Sequence, residues 1–530
     1  MSTLTGTGGL IRLILRRDRI RLLVWFGLVS MLAIGIAASV AGAYPTEEAR
    51  RAFFETTNGD PTQIMAIGPI YDSSPGGIAA WRVRGQAALL IGLASLFLVI
   101  RNTRAEEESG RAELLGSTVV GRHAALTAAL TVVFAANLVT VLVVTSGLVG
   151  QGLPLGGSLV MASSFAAAGW VFAALAGLVA QLTESSRAAN GIAVAALGVL
   201  YAVRAIADIR ESARLSWLSP FGWTQRMRPF AGDHYWPLLP VLGLVLLLVA
   251  GAYALSARRD LGGGLLPSRL GPATATPGLR SPLALAWRLQ RGTLIAWTLA
   301  FTAFGAGLGG VARSAAEQLN ESEALGDLTE RMGGGARPVD GFFAFVIYLM
   351  SQVIAVYAIQ ATLRLRGEEN SARADTVLTG PVGRLRWASG HLTIAAVGSG
   401  VVLAGFGLGM GLVYGLSTGD VGGELARLLG ASLTRLPSVL VLAAIAAMVY
   451  GLLPRLTAII AYAALGLCLC LEFAVELLHA GPSILKISPF AQTPGLPVAE
   501  FTVTPLVLLV AVAAGLTAAG LAGLRRRDLG

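Results

Sequence analysis

From His123 to Thr183 the chain runs for 61 residues without one Asp, Glu, Lys or Arg. A charge-free segment of that length is too long for one crossing of a bilayer, which about 20 apolar helical residues achieve. It is broken by "GQGLPLGGS", whose Gly and Pro suit a tight turn, so the run reads as two membrane spans joined by a short loop. Shorter charge-free runs recur at bilayer length: Leu22 to Thr46, Gly292 to Ala312, Gly341 to Leu363 and Phe501 to Leu524. Composition agrees, with 13% charged residues and a mean hydropathy of +0.69, against roughly 25% charged residues in soluble domains.

Twelve spans are predicted, near 22–43, 83–101, 123–149, 157–182, 188–207 and 237–257, then 292–312, 341–363, 388–416, 435–453, 456–476 and 503–524. The expected fold class is an all-α polytopic membrane protein. Basic residues that flank spans stay in the cytoplasm. With the N-terminus inside, 25 of the 40 basic residues fall on the cytoplasmic side and 19 of the 30 acids outside, so both termini are expected in the cytoplasm. The net charge of +10 and pI of 10.2 then reflect topology. No nucleic-acid partner is expected, because the basic residues are spread over short segments rather than gathered in one patch.

Lys486 is the only lysine. A P-loop needs a lysine in G-x-x-x-x-G-K-[ST] to reach the β/γ-phosphates, and Lys486 has no such context, so this chain is not expected to hydrolyse ATP. No serine or cysteine has a triad context, the four histidines lack metal-ligand spacing, and neither a catalytic nor a metal site is expected. Cys468 and Cys470 lie two apart in an apolar span and face different directions on a helix, which suits packing. Gly305, Gly307 and Gly310 fit G-x-G-x-x-G but lie inside a span, where close helix packing is the expected role. The start, "RRDRIR" followed by an apolar run and "AGA", imitates a secretory signal. Its apolar run exceeds the usual 7 to 15 residues or so of a signal, and the segment has a counterpart later in the chain, so it is expected to be retained.

That counterpart belongs to an internal duplication. Trp25 matches Trp297; Arg104, Glu106, Glu107, Ser109, Arg111 and Glu113 match Arg366, Glu368, Glu369, Ser371, Arg373 and Asp375. Gly121-Arg122 matches Gly383-Arg384 in the same register, Arg187 matches Arg455, "SPF" at 219–221 matches 488–490, and "RRDLG" at 258–262 matches 526–530. Two six-span halves, 1–261 and 279–530, are expected in the same orientation, related by a pseudo-two-fold axis along the membrane normal. The Gly- and Pro-rich 262–278 reads as a cytoplasmic linker. Each half opens with an amphipathic segment, "LIRLILRRDRIRLL" or "SPLALAWRLQRG", that suits a helix lying in the membrane interface.

The duplicated charged stretches, "RAEEESGRAELL" and "RGEENSARADTV", concentrate charge in a chain that has little. Glu107 and Arg111, Glu369 and Arg373, and Arg104 and Glu108 stand four apart, a spacing that supports an exposed helix by roughly 0.2–0.5 kcal/mol per pair. Helix stability explains one copy and gives little reason for the same order in both. A short charged helix beneath a bundle is what a permease needs to dock a soluble motor.

The stretches "RAEEESGRAELLGSTVVGR" and "RGEENSARADTVLTGPVGR" resemble the cytoplasmic loops of the actinobacterial exporters of polyketide antibiotics, the tetronasin-resistance kind of ATP-binding-cassette permease. The resemblance covers the chain nearly end to end. It implies a twelve-span fused permease of the bacterial plasma membrane, working with a separate nucleotide-binding ATPase subunit in two copies, to which ATP and Mg2+ would belong. It implies that Glu106, Glu107, Arg111 and Glu113 lie on one coupling helix and Glu368, Glu369, Arg373 and Asp375 on the other, with Arg187 and Arg455 at secondary coupling turns. It also implies short re-entrant helices at an outer gate around Pro220-Phe221 and Pro489-Phe490. Asn370 replaces the third acid of the first copy, and Thr376-Val377 stand where the first has Leu114-Leu115, so the two sites need not be equivalent.

Ionisable residues near spans are functional candidates. Arg204 and Glu472 occupy matching positions with opposite charge, with Glu476 four beyond Glu472, and an Arg204 to Glu472 pair in the substrate pathway is one reading; interfacial snorkelling is the other. The leading function is export of hydrophobic compounds such as antibiotics, drugs or lipids, powered by a partner ATPase. The alternative is an ion-gradient-driven secondary transporter, which would ordinarily place carboxylates mid-span, where this chain is almost free of them. A membrane scaffold or a lipid enzyme is a further class, the latter opposed by the lack of a clustered His, Asp or Glu site.

Overall fold

The structure, a computed structural model, describes residues 2–58, 63–64, 67–110, 119–210, 212–259, 263–264, 274, 279, 281–320, 338–477 and 487–527; within these, residues 209, 213, 311, 313–320, 338 and 472–477 are described by their backbone alone. The predicted linker 262–278 lies almost wholly outside the described residues. The chain divides into two compact units, Met1–Gly271 and Pro272–Gly530.

The first unit is built from α1 (Thr7–Ala43), α2 (Glu47–Asn58), α3 (Pro75–Asn102), α4 (Arg104–Glu108), α5 (Ala124–Gly150), α6 (Leu155–Leu182), α7 (Ser186–Ile209), the short α8 (Ala213–Ser216) and α9 (Pro220–Gln225), and α10 (Leu238–Arg258). The second holds α11 (Pro282–Asn320), α12 (Pro338–Asn370), α13 (Arg373–Leu378), α14 (Arg384–Thr418), α15 (Val421–Leu433), α16 (Leu436–Leu452), α17 (Thr457–Leu477) and α18 (Thr504–Arg526). Twelve of the described helical segments are long and apolar enough to cross a membrane. They fall on the twelve predicted stretches.

Local chemistry sets the ends. Ser74 and Ser185 accept from the backbone N–H of Gly77 and Ala188, capping α3 and α7, and Pro75 sits at the first turn of α3. The predicted turn between the third and fourth spans forms at Gly152, whose φ of 86° suits glycine. Two departures concern length. One helix, α1, carries both the amphipathic stretch and the first span, and α11 does the same in the second unit. The tenth span begins earlier than 435, because α15, capped by the Asp420 side chain on the Gly423 N–H, runs from Val421 into α16.

In each unit the second and fourth spans form the centre, and the fifth and sixth the rim. The spans at α3 and α6 have 67% and 78% of their windows buried, those at α7 and α10 only 22% and 17%. Rim leucines such as Leu239, Leu246 and Leu247 are exposed by about 70%. In water that would be a liability, whereas in a bilayer such a surface meets lipid at no cost. Helices approach closely where side chains are missing: a Cβ on Gly305 or Gly309 would strike the α14 backbone at Phe406 or Met410, and one on Gly409 would strike Thr302 of α11. Of the predicted glycine motif, Gly305 makes this contact while Gly307 faces open space.

Candidate functional site

At the end of α3 the backbone turns at Thr103 and restarts as α4, a five-residue helix carrying Arg104, Glu106, Glu107 and Glu108. The turn sends Arg104 inward, where it is 1% exposed. Its Nε donates to the Thr183 carbonyl, its Nη2 to the Gly263 carbonyl at 2.6 Å, and its Nη1 pairs with Glu107. Glu107 also takes both terminal nitrogens of Arg259, at 2.6 and 2.7 Å. Such a two-pronged Arg–carboxylate pair fixes geometry as well as charge. Arg259 reaches Gln181 through its Nε at 2.7 Å, and its own carbonyl accepts from Arg122 Nη2 at 2.6 Å. The other acids are occupied too: Glu106 accepts from Arg17 at 2.8 Å, and Glu108 accepts from the Ser186 N–H at 2.9 Å. Behind Arg17, Asn102 and the fully buried Asp18 continue the network to Arg21 and Arg101.

The second charged stretch follows the same plan with different neighbours. Here α12 runs unbroken to Asn370, Ala372 adopts a left-handed φ of 53°, and Arg373 opens α13. Glu369 accepts from Arg527 at 2.6 Å and from the Tyr450 hydroxyl at 2.6 Å, with the Arg527 guanidinium 4.7 Å from the Tyr450 ring centre. Arg384 donates to the Arg527 carbonyl at 2.7 Å. Glu107 with Arg259 and Arg122, and Glu369 with Arg527 and Arg384, are therefore the same three-residue latch at matching positions. In both units it ties the charged segment to the end of the last span. Glu368 takes Arg364 at 2.7 Å and, more loosely, Arg373 at 3.6 Å.

Two expected pairs do not form. The predicted Glu369–Arg373 pair fails because the left-handed Ala372 interrupts the helix, turning Arg373 toward Glu368 while Glu369 is claimed by Arg527. The predicted Arg104–Glu108 pair fails because Arg104 is buried against backbone carbonyls and Glu107, leaving Glu108 to Ser186. Arg111 and Glu113 lie outside the described residues. Of the residues expected on the coupling segments and turns, Arg373, 63% exposed, Asp375, Arg187 and Arg455 are solvent-exposed, whereas Glu106, Glu107, Glu368 and Glu369 are largely covered by their partners. Arg187 directly follows Ser186, the residue bound to α4.

Around the predicted outer gate, the described residues are well anchored. Pro220 and Phe221 are buried at the start of α9, Ser219 donates to the Leu200 carbonyl at 2.7 Å, and the Phe221 ring packs at a tilt against Phe172 and edge-to-face with Tyr201. Pro489 is half-buried and Phe490 fully so; the Phe490 carbonyl accepts from the buried Arg435 at 3.2 Å. Arg204 is 3% exposed, pairs with Asp208 at 3.2 Å, and lies over Tyr201. The side chains of Glu472 and Glu476 lie outside the described residues. No group of three or more potential metal ligands occurs among the described residues.

The sequence reading missed the latch arginines and the Asp18–Asn102 link. "RRDLG" and the two Gly-Arg pairs stood out as repeats, and an acid repeated beside a repeated arginine was the available signal.

Comparison with known proteins places these features in context. The family profile described as "Multidrug efflux system permease Rv1217c, C-terminal domain" matches residues 279–525. The Multidrug efflux system permease protein Rv1217c of Mycobacterium tuberculosis (strain ATCC 25618 / H37Rv) is 41% identical over 529 residues, covering 100% of this chain and 96% of that protein.

Proposed function

The chain belongs to the family of the multidrug efflux permease Rv1217c, a multi-pass protein of the plasma membrane, and from that premise we propose that it is the transmembrane subunit of an ATP-binding-cassette exporter. Its substrates are hydrophobic drug-like compounds, a class wider than polyketide antibiotics. ATP and Mg2+ are handled by a separate nucleotide-binding subunit, bound in two copies under the charged segments, with both termini of the permease in the cytoplasm. The resemblance to the tetronasin-resistance exporters narrows this to a subtype that the relative's name does not address.

One observation carries the reading: the same latch occurs twice. A helix that only decorates a loop has no need of a largely covered acid clamped by an arginine at the end of the sixth or twelfth span. A helix that must transmit force does, because a soft joint would absorb the displacement. Closure of the ATPase pair on nucleotide displaces α4 in the first unit and, in the second, α13 with the end of α12 that carries Glu369, and the latches pass that displacement to α10 and α18. The division of labour follows the exposure. Glu107 and Glu369 hold the helices in place, and the exposed Arg373, Asp375, Arg187 and Arg455 meet the partner.

The test is purification of the tagged chain from its native membrane with ATPase activity followed. A nucleotide-binding subunit should accompany the wild-type chain and be lost from Arg373→Glu/Asp375→Arg. Absence of such a subunit from active wild-type preparations, with transport driven by an ion gradient, overturns the proposal in favour of a secondary transporter.

A further inference from the structure

Beside α4 lies a cavity of about 420 Å³ whose lining combines apolar Leu10, Ile14 and Leu126 with Arg17, Arg122 and Arg259. Pockets that take small ligands run from about 300 to 1,000 Å³. Imperfect packing is the plain alternative, and the second unit argues against it.

In the register that pairs Gly121-Arg122 with Gly383-Arg384, the cavity-lining Thr103 and Ala125 match Leu365 and Trp387; in the register of the two "RRDLG" segments, Ser256 matches Leu524. Leu365, Trp387 and Leu524 are 0%, 2% and 1% exposed and pack together with Tyr450 in one hydrophobic cluster. The same place is thus solid in one unit and hollow in the other. An empty void forfeits the contacts its lining would make, and the second unit shows that this fold has an available way to fill it. Thr103, Ala125 and Ser256, at three separate places in the chain, stand where the second unit has the large side chains of that cluster.

The lining also states a charge preference. Three arginines face two acids, Glu106 and Glu107; Arg17 and Arg259 are paired with these, and Arg122, bonded to the Ser256 and Arg259 carbonyls, is the lining arginine that meets no acid among the described residues. Leu13, on the amphipathic stretch of α1, lines the cavity while remaining 45% exposed, which gives an alkyl chain a way out along the helix.

We propose that this cavity is a binding site for an amphiphile with an anionic headgroup, met by Arg17 and Arg122, with its chain laid along Leu10, Leu13 and Ile14. An anionic phospholipid of the surrounding leaflet and a free amphiphilic acid offer the same chemistry. Its location on the cytoplasmic side rests on the exporter reading; the cavity itself does not.

Native mass spectrometry of the full-length protein in detergent measures retention of dioleoylphosphatidylglycerol, with dioleoylphosphatidylcholine as the neutral comparison and dodecyl phosphate as a single-chain competitor. Ala125→Trp and Ser256→Leu copy the second unit. Leu142→Trp, on an exposed site of the same helix as Ala125, adds an indole away from the cavity. Wild type and Leu142→Trp should prefer the anionic lipid, and the two filling variants should each lose about 10-fold in affinity, a change of roughly 1.4 kcal/mol. Displacement by dodecyl phosphate assigns the site to free amphiphiles as well; resistance to it assigns the site to bilayer lipid. Equal retention by all four proteins, or no preference for the anionic headgroup, overturns the proposal. Ser256→Leu, the smaller change, keeps the test decisive if Ala125→Trp unfolds. Because binding is read without ATP or any partner, a negative result leaves the exporter reading intact, and failure to find an ATPase leaves the site intact.

Discussion

In the first unit Glu107 is held by two arginines, Arg104 and Arg259, beside a hollow bordered by Thr103, Ala125 and Ser256. In the second, Glu369 is held by Arg527 and the Tyr450 hydroxyl, beside a cluster closed by Trp387. The shared part, an acid of the charged segment clamped to an arginine just past the last span, is what two copies of one joint must keep. The differing part is the packing behind the joint, and there the units have separated into a filled half and an open one. A fused chain can do this because each copy answers to its own neighbours, which two identical subunits could not.

The comparison can be broken most directly at Trp387. Trp387→Ala removes the side chain that closes the second cluster and should lower stability by about 3–5 kcal/mol, read as a fall in the thermal unfolding midpoint in detergent. A negligible fall would mean that the second unit is not tightly packed there. Next is the latch itself. Glu107→Gln leaves Arg104 and Arg259 without their acid in a largely buried place and should cost about 3 kcal/mol. Glu369→Gln should cost less, because the Arg527 guanidinium keeps the Tyr450 ring 4.7 Å away. The reverse ranking in the same unfolding assay would contradict the unequal support described above. A charge swap, Glu369→Arg with Arg527→Glu, should recover part of the loss of either single change, with a coupling of at least about 0.5 kcal/mol; additive losses would deny the pair. A smaller effect is expected from Tyr450→Phe, about 1.5 kcal/mol for one hydrogen bond to a carboxylate that Arg527 still holds.

The twelve spans were legible because a bilayer imposes length and apolarity on every crossing, and a run such as His123 to Thr183 has no other reading. The tenth span was read short because α15, which carries the buried Glu424 and the partly exposed Arg427, does not look like an apolar run. Those charges are satisfied by Asp340 of α12 and by each other, which a linear pattern does not display. The charged segments were legible as a repeat, and their chemistry was not. Pairs four apart were the natural expectation on a continuous helix, but one left-handed residue, Ala372, changes the phase, and Arg104 turns inward at Thr103. The true partners of Glu107 and Glu369 lie 152 and 158 positions away, beyond any rule based on spacing. The hollow beside α4 was hidden for the same reason, since its three small residues come together only in the fold.

An ATPase acting through the charged segments is the proposed motor of this permease. This is tested by extrusion of a hydrophobic fluorescent dye in everted membrane vesicles given ATP, with ion gradients collapsed by ionophores. Transport should persist in the wild type and stop in Arg373→Glu/Asp375→Arg. Transport that stops when the gradients collapse, or that ignores the reversal of those two exposed charges, would contradict it.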